Sequence, residues 1–208
     1  GIPSHANAHP HLDGEDKIAV VHNGIIENFY TLRKWLEGEG VVFRSESDTE
    51  VLAHLIAYFF TNTLEEAVQK ALHEVEGTYG LAVLSSSDPG KIVGARNGSP
   101  LVVGVGEGEN FIASDVTALL EHTRQVVFLD DGEMVVIDNN SMHITNLDNI
   151  EIDRKPEEVH WDVKDVEKGG FKHYMRKEID EQPRTIRDAF SGRVIDESGM
   201  AHLGGLNI

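Results

Sequence analysis

Cysteine is absent from the 208 residues, which excludes disulfides, thiolate metal sites and a cysteine nucleophile within this stretch. A run of about 18 apolar residues is also missing, so no membrane-spanning helix is predicted, and no signal-peptide pattern opens the chain. Positive charge is scarce: 18 Lys and Arg stand against 36 Asp and Glu, a net charge of −18. That surplus repels phosphate backbones and argues against nucleic acid as a partner. Internal repeats and low-complexity tracts are absent too. What remains, 40% hydrophobic and 26% charged residues, is an ordinary globular composition. It suits a cytoplasmic protein whose length buries one core with an appendage, or two small ones.

Among what is present, the stretch Ile18-Ala-Val-Val-His22-Asn23-Gly24-Ile25-Ile26-Glu27-Asn28 carries the most chemistry. Residues of buried-strand character run into an Asn-Gly step, and a helical segment follows. Asn-Gly after a strand marks an abrupt change of direction. Two readings stay open from local chemistry. One is a plain hairpin turn. The other is a corner that aims the Asn23 amide and the Gly24 N–H at one point, as a developing oxyanion requires.

Upstream, the loop over residues 1–16 holds His5, His9 and His11. His9-Pro10-His11 spreads its rings along an extended dipeptide and lacks the helical i, i+4 spacing of many zinc sites, so a polar ordered loop is expected and no metal. Downstream, Phe29, Leu32, Trp35 and Leu36 recur at helical spacing, closed by Gly38 and Gly40. Val41–Arg44 reads as a short strand. Ser47-Asp48-Thr49-Glu50 and Thr63-Leu-Glu-Glu66 are capping-box patterns, each opening an amphipathic helix whose stripe is core packing.

From Thr78 the pattern turns to short strands: 78–84, 92–96, 101–105 and 111–113, then 125–129, 134–137 and 142–145, separated by turn residues. A short helix over 115–121 is expected with Ser114 as its cap. Helices first and strands after, with no alternating crossovers, predict an α+β fold with an antiparallel meander. Around Arg154-Lys-Pro-Glu-Glu158 the composition becomes charged. A connector over 161–170 ends at a Gly-Gly hinge, and Pro183 is expected to break or kink the helical segment 173–183. The boundary is placed at 160, with residues 161–208 as connector and start of a further domain. Gly1-Ile-Pro-Ser-His5 offers no capped start and residues 203–208 close no element, so both ends are expected to be cut.

Four segments together, Asn7-Ala-His-Pro-His11, Val21–Asn28, Ser45–Glu50 and Phe171–Pro183, resemble one family. Arg96-Asn-Gly-Ser-Pro-Leu101 and Asn110-Phe-Ile-Ala-Ser-Asp115 strengthen the resemblance, which runs through essentially the whole chain. It is to the glutamine-hydrolysing domain of the glutamine–fructose-6-phosphate aminotransferases, within the class II amidotransferases. The resemblance implies the four-layer αββα sandwich of the N-terminal-nucleophile hydrolases, here incomplete at its N-terminus, so that apolar surface is exposed. It implies glutamine as substrate, no cofactor, and ammonia delivered to fructose-6-phosphate in an absent isomerase domain of a homo-oligomeric parent. By position, it implies that Asn23 and Gly24 form the oxyanion hole and that Asp48 holds the α-ammonium of glutamine. It places His9 beside the substrate, with His9 and His22 first of all structural supports. The family's nucleophile, an N-terminal cysteine with its own α-amino group as base, is not in this sequence, and the stretch alone is expected to be inert. An alternative from another class is a non-catalytic glutaminase-like module that binds a partner or senses an amino acid.

Overall fold

The computed structural model describes Ile2, residues 4–160, 170–190, 194–195 and 200–201. Most of the expected connector, together with Gly192, Gly199, Gly204 and Gly205, lies outside these described residues, as do Gly1 and Pro3. The chain separates into two units, Gly1–His160 and Trp161–Ile208.

In the first unit, strands β1 (His11–Leu12) and β2 (Ile18–Ile26) precede helices α1 (Phe29–Gly38), α2 (Asp48–Phe59) and α3 (Leu64–His73). Seven strands follow: β3 (Gly77–Ser85), β4 (Ile92–Asn97), β5 (Val102–Val105), β6 (Asn110–Ala113), β7 (Gln125–Phe128), β8 (Glu133–Ile137) and β9 (Met142–Asn146). A short β10 (Glu157–Glu158) closes the unit. The strands form two antiparallel sheets, one ordered β1-β2-β3-β4-β8-β9 and the other β10-β7-β5-β6. The expected single meander is therefore split, because β5, β6 and β7 leave the larger sheet between β4 and β8.

Alternation along the strands explains the layers. Ile18, Val20 and Ile26 of β2 and Tyr79, Leu81 and Val83 of β3 join one core with the helices. Val135 and Ile137 of β8 face the other way and pack with Val103 of β5 and Val127 of β7. Helices, large sheet and small sheet thus make three layers of a mixed α/β sandwich. On the outer face of the small sheet lies a 3-10 turn, Val116–Ala118, capped by Asp115 and not by Ser114. A Cβ on Gly104 of β5 would meet Leu119 of that segment at 3.2 Å.

The small sheet covers only part of the large one. Val21, Ala82, Gly94 and Val135 stand in one cross-strand row, and Gly94 lies beneath Ile112 and Leu101 of the small sheet's side. At the other end of this row Val21 is 42% exposed, and in the next row Leu84 and Leu12 are 49% and 37% exposed.

Several local expectations are corrected. Residues 41–44 form no strand. Helix α2 is not half-exposed, for every residue from Thr49 to Ile56 is buried, since α1, α3 and β2 all pack around it. β10 had no apolar signal. It pairs with β7 through Glu157↔Val126 and Glu158↔Gln125; on one side Arg154 donates to the Phe128 carbonyl and pairs with Asp130 and Glu133, and on the other Val159 N donates to the Arg124 carbonyl.

In the second unit, helix α4 (Tyr174–Phe190) runs through Pro183 without stopping. A proline forfeits one backbone hydrogen bond, and the Thr185 hydroxyl bonds the Glu181 and Gln182 carbonyls beside it. A hairpin pairs β11 (Val194–Ile195) with β12 (Met200–Ala201).

Candidate functional site

Asn23 and Gly24 are not a turn. They lie inside the nine-residue strand β2, paired with Gly80 and Tyr79, and the chain bends only at Glu27 and Asn28. The requirement for glycine is real nonetheless. Gly24 has φ +135°, and a Cβ there would sit 2.1 Å from the Thr78 carbonyl oxygen. Only a residue without a side chain meets that approach.

Around this point side chains add to the strand pairing. Ile25 N donates to the Thr78 hydroxyl at 3.2 Å, and Ile26 N donates to Asp48 Oδ2 at 2.9 Å. Asp48 opens α2, but it does not cap it. Ser47 accepts the Thr49 N–H as the cap, which frees the Asp48 carboxylate to reach β2. The strand, and not the first turn of its own helix, holds Asp48.

His22 faces the helices and is buried. Its Nε2 lies 3.2 Å from the Thr78 carbonyl and its Nδ1 3.2 Å from the Thr49 hydroxyl. A carbonyl only accepts, so Nε2 carries a proton, while the Thr49 hydroxyl can either donate to Nδ1 or accept from it. Burial pushes its pKa down, against the pull of the Thr78 hydrogen bond and Asp48. His9 Nε2 approaches the same Thr49 hydroxyl at 3.4 Å. His9 and His11 stand edge to face with centroids 5.6 Å apart.

Two cavities flank the strand. One of about 540 Å³ is lined by Asn7, Ile25, Phe29, Ser47 and Asp48, a size suited to a small polar ligand. The other, about 130 Å³, is lined by His9, Asn23, Ala82, Ile112 and Ser114. Strand β2 contributes Ile25 to the first cavity, beside Asp48, and Asn23 to the second, with Gly24 between them in the chain. A larger cavity of about 680 Å³ opens elsewhere, beside Asp13, Arg44, His54 and Tyr58.

Sequence reasoning missed Thr49 and Thr78, which join His9, His22 and the Gly24 segment. It also misread Glu50. Instead of completing a capping box with Ser47, the Glu50 carboxylate accepts from Arg44 N, Ser45 N and the Ser45 hydroxyl. The signal available was a Thr-Glu pair on an otherwise apolar helix, where buried polar groups must find partners.

Comparison with known proteins gives a consistent picture. The family described as "glutamine amidotransferase domain" matches residues 2–121. Glutamine–fructose-6-phosphate aminotransferase (isomerizing) of Chlorobaculum tepidum is 50% identical over 211 residues, covering 100% of this chain and 34% of that protein. The Thermotoga maritima protein of the same name is 50% identical over 194 residues, covering 93% and 32%. Among solved structures, the glutamine phosphoribosylpyrophosphate amidotransferase of B. subtilis, complexed with ADP and GMP, is 27% identical. It superposes with a TM-score of 0.59 over 69% of this chain and 32% of its own. The chain spans about a third of the length of the curated relatives it matches.

Proposed function

The chain belongs to the glutamine amidotransferase domain family, and we propose that within its full-length protein it forms the glutaminase half of a glutamine–fructose-6-phosphate aminotransferase. Glutamine's side-chain amide is hydrolysed to glutamate and ammonia. The ammonia then passes to fructose-6-phosphate on a separate isomerase domain, giving glucosamine-6-phosphate. Residues 161–208 lead into that domain.

The observation that carries the reading is the Asp48 Oδ2–Ile26 N hydrogen bond of 2.9 Å, which ties a carboxylate to the strand two residues beyond Gly24. Asp48 receives the α-ammonium of glutamine, a charge-assisted contact stronger than a neutral one. As a nucleophile adds to the amide carbonyl, charge collects on its oxygen. The Asn23 amide and the Gly24 N–H donate to that oxygen. His9 stands at the same end of the site and steadies it through Thr49. The thiol that attacks comes from outside these residues, which hold no cysteine; in the family resemblance it is an N-terminal cysteine whose α-amino group is the base. By itself the 208-residue stretch has no glutaminase turnover.

The test is the full-length protein assayed for glutamine-dependent formation of glucosamine-6-phosphate. Asp48→Asn is expected to raise the KM for glutamine about 30-fold, the equivalent of losing ~2 kcal/mol from a hydrogen bond to a charged group. It should leave use of free ammonia unchanged. A full-length protein that releases no glutamate from glutamine overturns the reading and favours the non-catalytic module.

A further inference from the structure

Glu50 is 2% exposed, in the first turn of a helix that is otherwise wrapped in apolar side chains. A carboxylate in such a place is costly unless every lone pair is used. Its Oε1 accepts Arg44 N at 2.7 Å, and its Oε2 accepts Ser45 N at 2.7 Å and the Ser45 hydroxyl at 2.5 Å. The Ser45 oxygen in turn accepts Ser47 N at 3.2 Å. Arg33, stacked over the Phe43 ring, fastens the Ser45 carbonyl at 2.9 Å from the outside. The turn from Arg44 to Ser47 is thus built around one buried charge, and it delivers the chain to Asp48. Burial raises the Glu50 pKa, and the Ser45 and Arg44 hydrogen bonds overcome that and hold it below the ordinary value.

We infer that Glu50 is a positioning residue for glutamine binding: its buried carboxylate sets the 44–47 turn and thereby the place of the Asp48 carboxylate. This rests on the reading of Asp48 as the partner of the substrate ammonium. Glu50 does not touch the substrate itself. Asp48 is fixed from both sides, by the turn before it and by Ile26 N across from it. Loosening the turn leaves Asp48 on one tether.

The experiment uses the full-length protein. Glu50→Gln keeps the side-chain length but replaces one acceptor oxygen by an amide donor facing backbone N–H groups. Glutamine KM is expected to rise about tenfold, with glutaminase kcat held within about twofold. In an Asp48→Asn background the same change adds nothing, because its effect is routed through Asp48. Should Glu50→Gln fail to fold, Ser45→Ala carries the test, cutting only the hydroxyl links. It raises KM about threefold and is likewise silent in the Asp48→Asn background. An unchanged KM in the folded variant, or an undiminished penalty in the Asp48→Asn background, overturns the inference. An Asp48→Asn protein with unchanged KM overturns instead the reading of Asp48, whatever Glu50 does.

Discussion

Gly24 is the residue whose identity is most tightly dictated. Its φ of +135° is one that side chains disfavour, and the missing Cβ is what lets the Thr78 carbonyl come close. Gly24→Ala must rotate or push back β3, whose own backbone supplies the obstruction. A loss of about 3 kcal/mol is expected from strain of this kind, measured by urea unfolding, with glutaminase activity of the full-length protein abolished. Asn23→Ala makes the natural contrast. Asn23 is exposed on β2 and has no such steric role, so stability should hold while kcat falls.

At the scale of elements, α2 and its neighbours hold three histidines whose pKa values are pushed down by burial: His11 on β1, His22 on β2 and His54 on α2. Glu50 opposes the shift at His54, 3.6 Å away, without reversing it. The sign follows from linkage. Below their ordinary value of 6.5 the unfolded chain takes up protons that the native chain refuses, so stability falls as pH drops. A melting temperature that declines from pH 6.5 downward is expected, with a shallower slope in His54→Gln. Loss of the Glu50 network belongs to a lower window, beginning below the ordinary carboxylate value of 4.5.

The elements themselves were largely legible in the residues. Helical stripes at 29–36 and 64–75 and the short strands after 78 follow from periodicity, which responds to burial on one face. What periodicity does not encode is where a strand leaves one sheet for another, so by periodicity alone β5 to β7 continue one meander with the rest. Helix α2, buried all round, shows a pattern scarcely different from an amphipathic one. β10 is defined by pairing with β7, about 30 residues earlier in the chain, which no local pattern records. At the candidate site, the family resemblance singles out Asn23, Gly24 and Asp48, and the structure places the first two inside β2 and the third at the start of α2. Local chemistry mistook the Asn-Gly step for a change of direction, because a glycine at positive φ inside a strand leaves the same two-letter trace as a hairpin. Thr49 and Glu50 were hidden beneath a capping motif that only Ser47 fulfils.

For the whole molecule, the small sheet leaves Leu12, Val21 and Leu84 of the large sheet uncovered. Apolar surface of this kind favours contact with a second copy, and among the described residues strand β6 beside it is paired on one side only, which leaves an edge. The 208-residue chain alone is expected to self-associate, seen as a concentration-dependent rise in mass by sedimentation. A strictly monomeric chain at 100 μM, a concentration of about 10⁻⁴ M, would contradict this expectation from exposed surface.

That strip also gives the chain a colloidal character. Each copy carries a net charge of −18, so two copies repel before their apolar strips can touch. In dilute buffer the repulsion reaches far; at 0.1 M salt the screening length contracts to about 10 Å. Added salt should therefore drive association instead of dissolving it, the reverse of what holds for partners joined by ion pairs. At a fixed pH and temperature, ionic strength would then decide whether solutions of this chain stay clear.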